Sequence, residues 1–360
     1  MKIAIILGTR PEIIKLGPVI RELEKKQADF FILHTGQHYS YYLNKVFFEQ
    51  LGLPQPGYNL EAGSGSHAEE TGKILVGIEK VLLKESPDII LVQGDTNSVL
   101  AGALAAAKLL IKIGHVEAGL RSYDKSMPEE INRLLTDHIS DYLYAPTSKA
   151  KEILLGEGIP ESRIFVTGNT IVDAVYQNLE IAGEKRSALD ALNLKEKGYL
   201  LVTLHRQENV DNRERFASIL ESIDRVAAEI KTSVIYPIHP RSKKMMAKFS
   251  LQCRHITLAE PMDFLSFLQL ESNARLVLTD SGGVQEEACI LKVPCVTLRD
   301  NTERPETIDV GANILAGASP GRILGCIKLM LGRENNWQNP FGDGTAGKKI
   351  VKLITGGKND

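Results

Sequence analysis

Carboxylates, histidines and arginines in this chain gather where an apolar run of strand length gives way to a turn or helix. A charged group at such a place is costly to bury unless it is used. The segment GTRPE, Gly8 to Glu12, follows the apolar start and opens a helix. Its backbone N–H groups and the helix dipole suit an anion such as phosphate, and Arg10 and Lys15 add positive charge. A tight turn with a surface arginine is the plainer reading. In QGDTNS, Gln93 to Ser98, Asp95 leaves a buried strand and enters an alanine-rich helix; spacing leaves it open whether Asp95 is a helix cap or an acid of a site. HVEAGLRS brings Glu117 to the same sheet edge. SMPEEINR starts a helix at Pro128 with Glu129 and Glu130 in its first turn, where acids commonly do no more than partner the dipole. Asp95, Glu117 and Glu129 converging on one edge would raise one another's pKa values, so that a carboxyl stays protonated near neutral pH and acts as an acid.

The second half repeats the arrangement with different groups. TLHRQEN places His205 and Arg206 directly after YLLVTL, and PIHPR does the same with His239 and Arg241. TDSGGVQEEA is the most informative segment. The N–H groups of a Ser281-Gly282-Gly283 turn can cradle a diphosphate, and an acid one turn further, Glu286 or Glu287, can accept both hydroxyls of a ribose. RDNTERPE adds Arg299 and Arg304 as further anion partners. Neither GxGxxG nor GxxxxGK[ST] occurs at the first turn, so a dinucleotide or P-loop reading has no support. GSGS, Gly63 to Ser66, lacks a buried strand before it and reads as a flexible loop.

Positioning these edges requires strands. KIAIIL, FFILHT, DIILVQ, KIGHVE, DYLYAP and IFVTG alternate with helical periodicity, as in the stretch Pro11 to Lys25 with its stripe of Ile13, Leu16, Ile20 and Leu23. The pattern restarts after Gly168 with YLLVTL, SVIYPI, HITLAE, RLVLTD, PCVTLR and ANIL. The fold class predicted is α/β, with two Rossmann-like doubly wound domains facing a central cleft. The first covers residues 1–169 with a C-terminal helix, 348–360, packing back; the second covers 170–347. Residues Gly183 to Lys197 are rich in charge and read as a surface excursion, and the terminal GGKND is expected to fray.

The whole chain narrows the partner. With 360 residues, 43% hydrophobic, it can bury two ordinary cores. A net charge of -2 supplies no basic field for nucleic acid or an anionic membrane, so a small molecule is favoured. Cys253, Cys289, Cys295 and Cys326 lie apart, without a CxxC pair, and read as reduced core residues. No apolar stretch approaches the ~20 residues of a membrane span, and the start does not read as a secretion signal, which predicts a cytoplasmic protein.

Taken in order, GTRPE, GDTNS, VEAGLRS, PEEINR, TLHRQEN, TDSGGVQEEA and RDNTERPE resemble the non-hydrolysing UDP-N-acetylglucosamine 2-epimerases. The resemblance implies the two-domain glycosyltransferase-B architecture, a homodimer, and interconversion of UDP-N-acetylglucosamine and UDP-N-acetylmannosamine without nicotinamide or metal. By that similarity Asp95, Glu117, Glu129 and His205 fall on catalytic positions. Arg10, Lys15, Arg206, Ser281, Gly282, Gly283, Glu287 and Arg304 fall on nucleotide-sugar contacts, and Phe267 on one near the uracil. The implied route eliminates UDP, leaving 2-acetamidoglucal, and adds it back after protonation on the other face of C2. Carboxylates would move the protons and cations would hold the departing diphosphate.

Two departures stand out. Gln37 and His38 fit a pair that binds a second, activating substrate in many relatives, but Lys73 stands where arginine is typical, and a point charge replaces a bidentate fork. His239 joins these as a candidate for that second site. Met262 replaces a residue often polar near the base. The principal alternative is a glycosyltransferase of the same architecture using a UDP-sugar donor, which would not need several proton carriers for C2. A hydrolysing epimerase would release the nucleotide, and a silent sensor would not need the acids.

Overall fold

The computed structural model describes residues 1–36, 41–63 and 65–356. Gln37, His38, Ser64 and the terminal Gly357 to Asp360 lie outside the described residues. The chain divides into two compact units, Met1–Ala174 with Phe341–Asp360, and Val175–Pro340.

The first unit is built on parallel strands β1 (Lys2–Leu7), β2 (Asp29–His34), β3 (Tyr58–Asn59), β4 (Ile89–Gln93), β5 (Lys112–Val116), β6 (Tyr142–Ala145) and β7 (Ile164–Val166). Their order is β3-β2-β1-β4-β5-β6-β7. Ile3 to Leu7 are all fully buried, because helices cover both faces and each side chain of the pleat meets apolar surface. On one face Ala4, Ile6, Ile90 and Val92 pack against Ile74, Ile78 and Leu82 of the helix His67–Glu85 and Val99 and Ala103 of the helix Asn97–Lys108. Each such aliphatic side chain contributes about 1.5–3 kcal/mol on full burial. The helix Ala346–Ile354 packs on the helix Arg10–Lys25; a Cβ on Gly347 would sit 3.0 Å from Pro18, so the contact needs glycine.

The second unit holds β8 (Tyr199–Thr203), β9 (Ser233–Pro237), β10 (Ile256–Ala259), β11 (Leu276–Thr279), β12 (Cys295–Thr297) and β13 (Asn313–Leu315), all parallel. The order is β10-β9-β8-β11-β12-β13. Leu200, Val202, Leu276 and Leu278 pack against Phe216, Ile219 and Ile223 of the helix Arg213–Ile230 and Ile323 and Ile327 of the helix Pro320–Leu331.

Two Rossmann-like parallel sheets agree with the α/β class predicted from the alternation of runs. Two details differ. Tyr58–Asn59 forms a short edge strand that no apolar run announces. The segment Gly183 to Lys197 is anchored: Ala188 and Leu189 are buried, the Ala188 N–H donates to Gln269 Oε1 at 2.7 Å, and Lys197 Nζ donates to the Ser272 carbonyl at 2.7 Å. Its charges face water, as expected of a surface excursion, while Ala188 and Leu189 tie it to the core. GSGS likewise ends with Ser66 capping the helix His67–Glu85. Among the described residues no helix is long and apolar enough to cross a membrane.

Candidate active site

Strand order reverses between β1 and β4 in the first sheet and between β8 and β11 in the second. Loops leaving the carboxyl ends of such strand pairs are the ligand-binding positions of doubly wound sheets. GTRPE and GDTNS leave β1 and β4; HRQEN and DSGG leave β8 and β11.

In the first unit the backbone comes very close at Gly8, where a Cβ would run into Thr35 Oγ1 and Ser98 Oγ, two hydroxyls that bond to each other at 2.7 Å. Two N–H groups of the loop before the helix, at Gly8 and Thr9, are not left for an external anion. Glu12 folds back and accepts from Gly8 N at 2.5 Å and Thr9 N at 2.7 Å, and also from Thr96 Oγ1. Burial raises the Glu12 pKa, against the lowering effect of these donors. The phosphate seat expected at those amides is thus filled by the protein's own carboxyl group. Arg10 remains exposed, its guanidinium 5.5 Å from the Phe47 ring.

Glu117 follows β5 with φ +69°, a left-handed conformation that a glutamate adopts at a cost and that directs its side chain inward. It accepts from Lys15 Nζ at 2.6 and 2.8 Å and from Gln93 Nε2 at 2.6 Å. Asp95 accepts from Arg133 Nη1 at 2.6 Å, with its side chain 31% exposed. Arg133 is in turn held by Glu130, whose carboxylate also accepts from the N–H groups of Ser122 and Tyr123, both at 2.9 Å. Burial would raise the Glu130 pKa; those N–H donors and the Arg133 charge outweigh it and hold it below the usual range. Glu129 is exposed in the same helical turn. The expected convergence of Asp95, Glu117 and Glu129 upon one another is therefore replaced, at the first two, by acids set against cations. The reason is the helix Pro128–Ile139, which turns Glu130 and Arg133 inward and Glu129 outward.

Beneath this edge lies a network that the sequence reading missed. His115, fully buried on β5, has Nδ1 2.6 Å from Asp137 Oδ1 and Nε2 2.8 Å from the Gly94 carbonyl, one residue before Asp95. Arg121 Nη1 lies 2.7 Å from the other oxygen of Asp137, and Arg121 also grips Glu157. Burial alone would raise the Asp137 pKa, but His115 and Arg121 bring it below the ordinary value. The only sequence signal was polarity inside otherwise apolar runs.

In the second unit the fully buried Asp280 organises the edge. It accepts from His205 N at 3.1 Å, Arg206 N at 3.0 Å and Asn209 Nδ2 at 3.1 Å, and its Oδ1 is 3.3 Å from His205 Nδ1. Burial would raise its pKa; the His205 ring and these donors lower it instead. Asp280 lies directly before the Ser281-Gly282-Gly283 turn in TDSGG. His205 keeps 37% of its side chain exposed and lies 5.5 Å, ring to ring, from His239. His239 caps the helix Pro240–Phe249 through Arg241 N, and burial, then the neighbouring His205, lowers its pKa. This puts His239 beside His205. Arg241 is turned away onto Asp211, with Nε at 3.0 Å. Lys73, the other described candidate for a second site, is exposed on the helix His67–Glu85, where its charge helps lower Glu69 after the Ser66 hydrogen bonds.

Ser281 starts the helix Gly282–Ile290, whose first amides point into the loop region as helix geometry requires. Glu286 and Glu287 are both buried, Glu286 2.7 Å from Arg304 Nε. Arg299 is committed to Glu303 by two bonds of 2.9 Å; burial would raise Glu303, but Arg299 brings it to about 2. The anion partners expected of RDNTERPE thus carry acidic partners of their own. Phe267 is half-buried on the helix Phe264–Asn273 and packs, with Met262, against the core that includes Leu270 and Val284. All four cysteines are unpaired, and burial pushes Cys253 up to about 11 and Cys289 up to about 12.

Residues 21–355 match the family model described as UDP-N-acetylglucosamine 2-epimerase. A UDP-N-acetylglucosamine 2-epimerase from Methanocaldococcus jannaschii is 58% identical, with 99% of this chain and 100% of that protein covered. One from Methanococcus maripaludis is 57% identical, with 99% of each covered. A crystal structure of the Methanocaldococcus jannaschii UDP-GlcNAc 2-epimerase in complex with UDP-GlcNAc and UDP is similar to this chain with a TM-score of 0.89, covering 99% of this chain and 100% of that one.

Proposed function

Because the chain belongs to the UDP-N-acetylglucosamine 2-epimerase family, we propose that it inverts C2 of UDP-N-acetylglucosamine reversibly, giving UDP-N-acetylmannosamine. The C2 proton has no neighbouring carbonyl to acidify it, so its removal is coupled to loss of UDP. A carboxylate takes the C2 proton as the bond between C1 and the phosphate oxygen breaks, and 2-acetamidoglucal and UDP result. Delivery of a proton to the opposite face of C2, with return of the UDP oxygen to C1, completes the inversion.

The observation that carries this reading is the pair Asp95 and Glu117, held at the ends of neighbouring parallel strands, each beside its own cation. One or two of Asp95, Glu117 and Glu129 exchange the C2 protons. Asp95, partly open to solvent, and the exposed Glu129 are the accessible members, while Glu117 also fixes the Lys15 ammonium. His205 and Arg10 stabilise the departing UDP. Ser281, Gly282 and Gly283 offer backbone donors to the diphosphate, Glu287 accepts the ribose hydroxyls, Arg206 and Arg304 contribute charge, and Phe267 lies near the uracil. The protein works in the cytoplasm as a homodimer.

The deciding experiment incubates the protein with UDP-N-acetylglucosamine in deuterated water and follows the sugar by proton NMR. UDP-N-acetylmannosamine carrying deuterium at C2 is the expected product. Binding without a new sugar and without C2 exchange would remove the epimerase reading in favour of transfer or sensing.

A further inference from the structure

None of the proposed roles uses His115, the fully buried histidine of β5. Both of its ring nitrogens face acceptors: Nδ1 donates to Asp137 Oδ1 at 2.6 Å and Nε2 to the Gly94 carbonyl at 2.8 Å. The two partners belong to different segments, the turn after β4 and the helix Pro128–Ile139. Asp137 also accepts from Gly119 N at 3.2 Å and lies 2.7 Å from Arg121 Nη1, both in the loop that follows Glu117. His115 and Asp137 thereby tie the turn that carries Asp95 to the loop that carries Glu117 and to the helix that carries Glu129. Gly94 is where such a tie matters. It turns at φ +81°, and among the described residues a Cβ there would meet no atom within 4 Å, so hydrogen bonds rather than side-chain packing hold the turn. Its N–H donates to the Val116 carbonyl at 3.1 Å and its carbonyl takes the His115 bond, so β5 grips it at both ends. The Gly94 carbonyl is part of the planar peptide unit that begins Asp95, and its direction sets the direction in which Asp95 leaves the strand.

We propose that His115 is a positioning residue for the epimerisation: its Nε2–H fixes the Gly94 carbonyl and so aims the Asp95 carboxylate, while Asp137 holds the ring by Nδ1. Asn132 Nδ2 holds the next carbonyl, that of Asp95 itself, at 2.9 Å, and Arg133 holds the Asp95 side chain. His115 supplies the restraint at the strand end, and it acts on the reaction only through Asp95. A misplacement of about 1 Å in a group that must meet a defined carbon costs up to ~100-fold in rate. The proposal rests on the reading of Asp95 as an acid that exchanges the C2 proton.

Two amide substitutions in the full chain separate the two ring bonds. Asparagine carries its amide nitrogen near the place of Nδ1 and glutamine near that of Nε2, so His115→Asn keeps the donor to Asp137 and His115→Gln keeps the donor to Gly94. Bonds to a charged acceptor are the stronger, so denaturant unfolding should find His115→Gln the less stable variant. Turnover should run the other way. His115→Asn is expected to lose about tenfold or more, with UDP affinity by calorimetry unchanged, while His115→Gln retains most of the turnover. Turnover that follows stability, with His115→Asn the more active, would make His115 a core residue only and overturn the proposal. Introduced into Asp95→Asn, His115→Asn should cost nothing further; a second full loss there would show that it does not act through Asp95. In wild type carrying isotope-labelled histidine, the Nε2 resonance missing from His115→Gln should be that of a protonated nitrogen, and a bare nitrogen would overturn the proposal whether or not His115→Asn folds. The epimerase reading stands or falls separately, on C2 deuterium exchange by the wild type.

Discussion

The two strand-order reversals, similar in backbone, are furnished in opposite ways. At the first, between β1 and β4, each acid is set against fixed donors: the buried Glu117 with Lys15, the half-buried Asp95 with Arg133, and Glu12 with backbone N–H groups. At the second, between β8 and β11, one buried carboxylate, Asp280, gathers backbone donors, while His205, Ser281 and Gly283 around it retain access to solvent. The difference follows from the proposed tasks. Groups that pass protons to a defined carbon need fixed directions, which buried pairing provides. Groups that receive a diphosphate need open backbone donors, which a glycine turn at a helix start provides.

The sharpest way to break this contrast is at Lys15. Lys15→Met removes the ammonium that faces the buried Glu117 carboxylate, which costs about 3–5 kcal/mol. Denaturant unfolding should show that loss. Lys15→Met combined with Glu117→Leu should recover much of it, because an apolar pair carries no desolvation penalty. A single variant as stable as wild type would mean that the edge is not built on the pair.

Next in size is the chemistry. Glu117→Gln and Asp95→Asn should each lower turnover by ~100-fold or more, while calorimetry with UDP shows affinity nearly unchanged, since neither acid is assigned a contact with the nucleotide. Parallel losses of turnover and UDP affinity in both variants would erase the proposed division of labour between the two edges.

Much of this contrast was legible in the sequence, because strand-length apolar runs mark where a sheet ends and motif residues then fall at those ends. GTRPE, GDTNS, HRQEN and DSGG all leave strands that flank a reversal of order. Pairings between distant segments were not legible. Nothing in the spacing of Lys15 and Glu117, or of His115 and Asp137, says that they meet, because those contacts depend on helix rotation and on a positive φ at Glu117. The first-turn acids Glu129 and Glu130 show the same limit: adjacent in sequence, they point to opposite environments.

Asp280 sharpens the comparison from the other side. Asp280→Asn removes a charged acceptor from buried N–H groups and should cost about 1–3 kcal/mol, with a fall in turnover through loss of His205 orientation. Its pH dependence has a defined sign. The folded pKa is depressed, so the stabilisation is fully present above the unfolded value of about 3.9 and is lost as pH falls through the folded pKa. The stability gap between wild type and Asp280→Asn should therefore be constant near neutrality and close as the solution is acidified below about pH 4. Unfolding curves at a series of pH values measure it, and a gap that widens on acidification would contradict the sign.

The smallest effect comes from a pair chemically identical to Lys15–Glu117. Lys243 and Glu260 are also a lysine and a glutamate in contact, at 2.9 Å against 2.6 Å, but with side chains 59% and 81% exposed. Distance hardly separates the two pairs; solvent does. Water and salt screen the exposed pair, and ordering two long side chains offsets most of the remaining attraction. Lys243→Ala should change stability by less than about 1 kcal/mol, approach zero in high salt, and leave turnover as it was. Unfolding with and without added salt, run beside Lys15→Met, turns the contrast into a number: comparable losses in the two variants would show that burial is not what distinguishes the first edge.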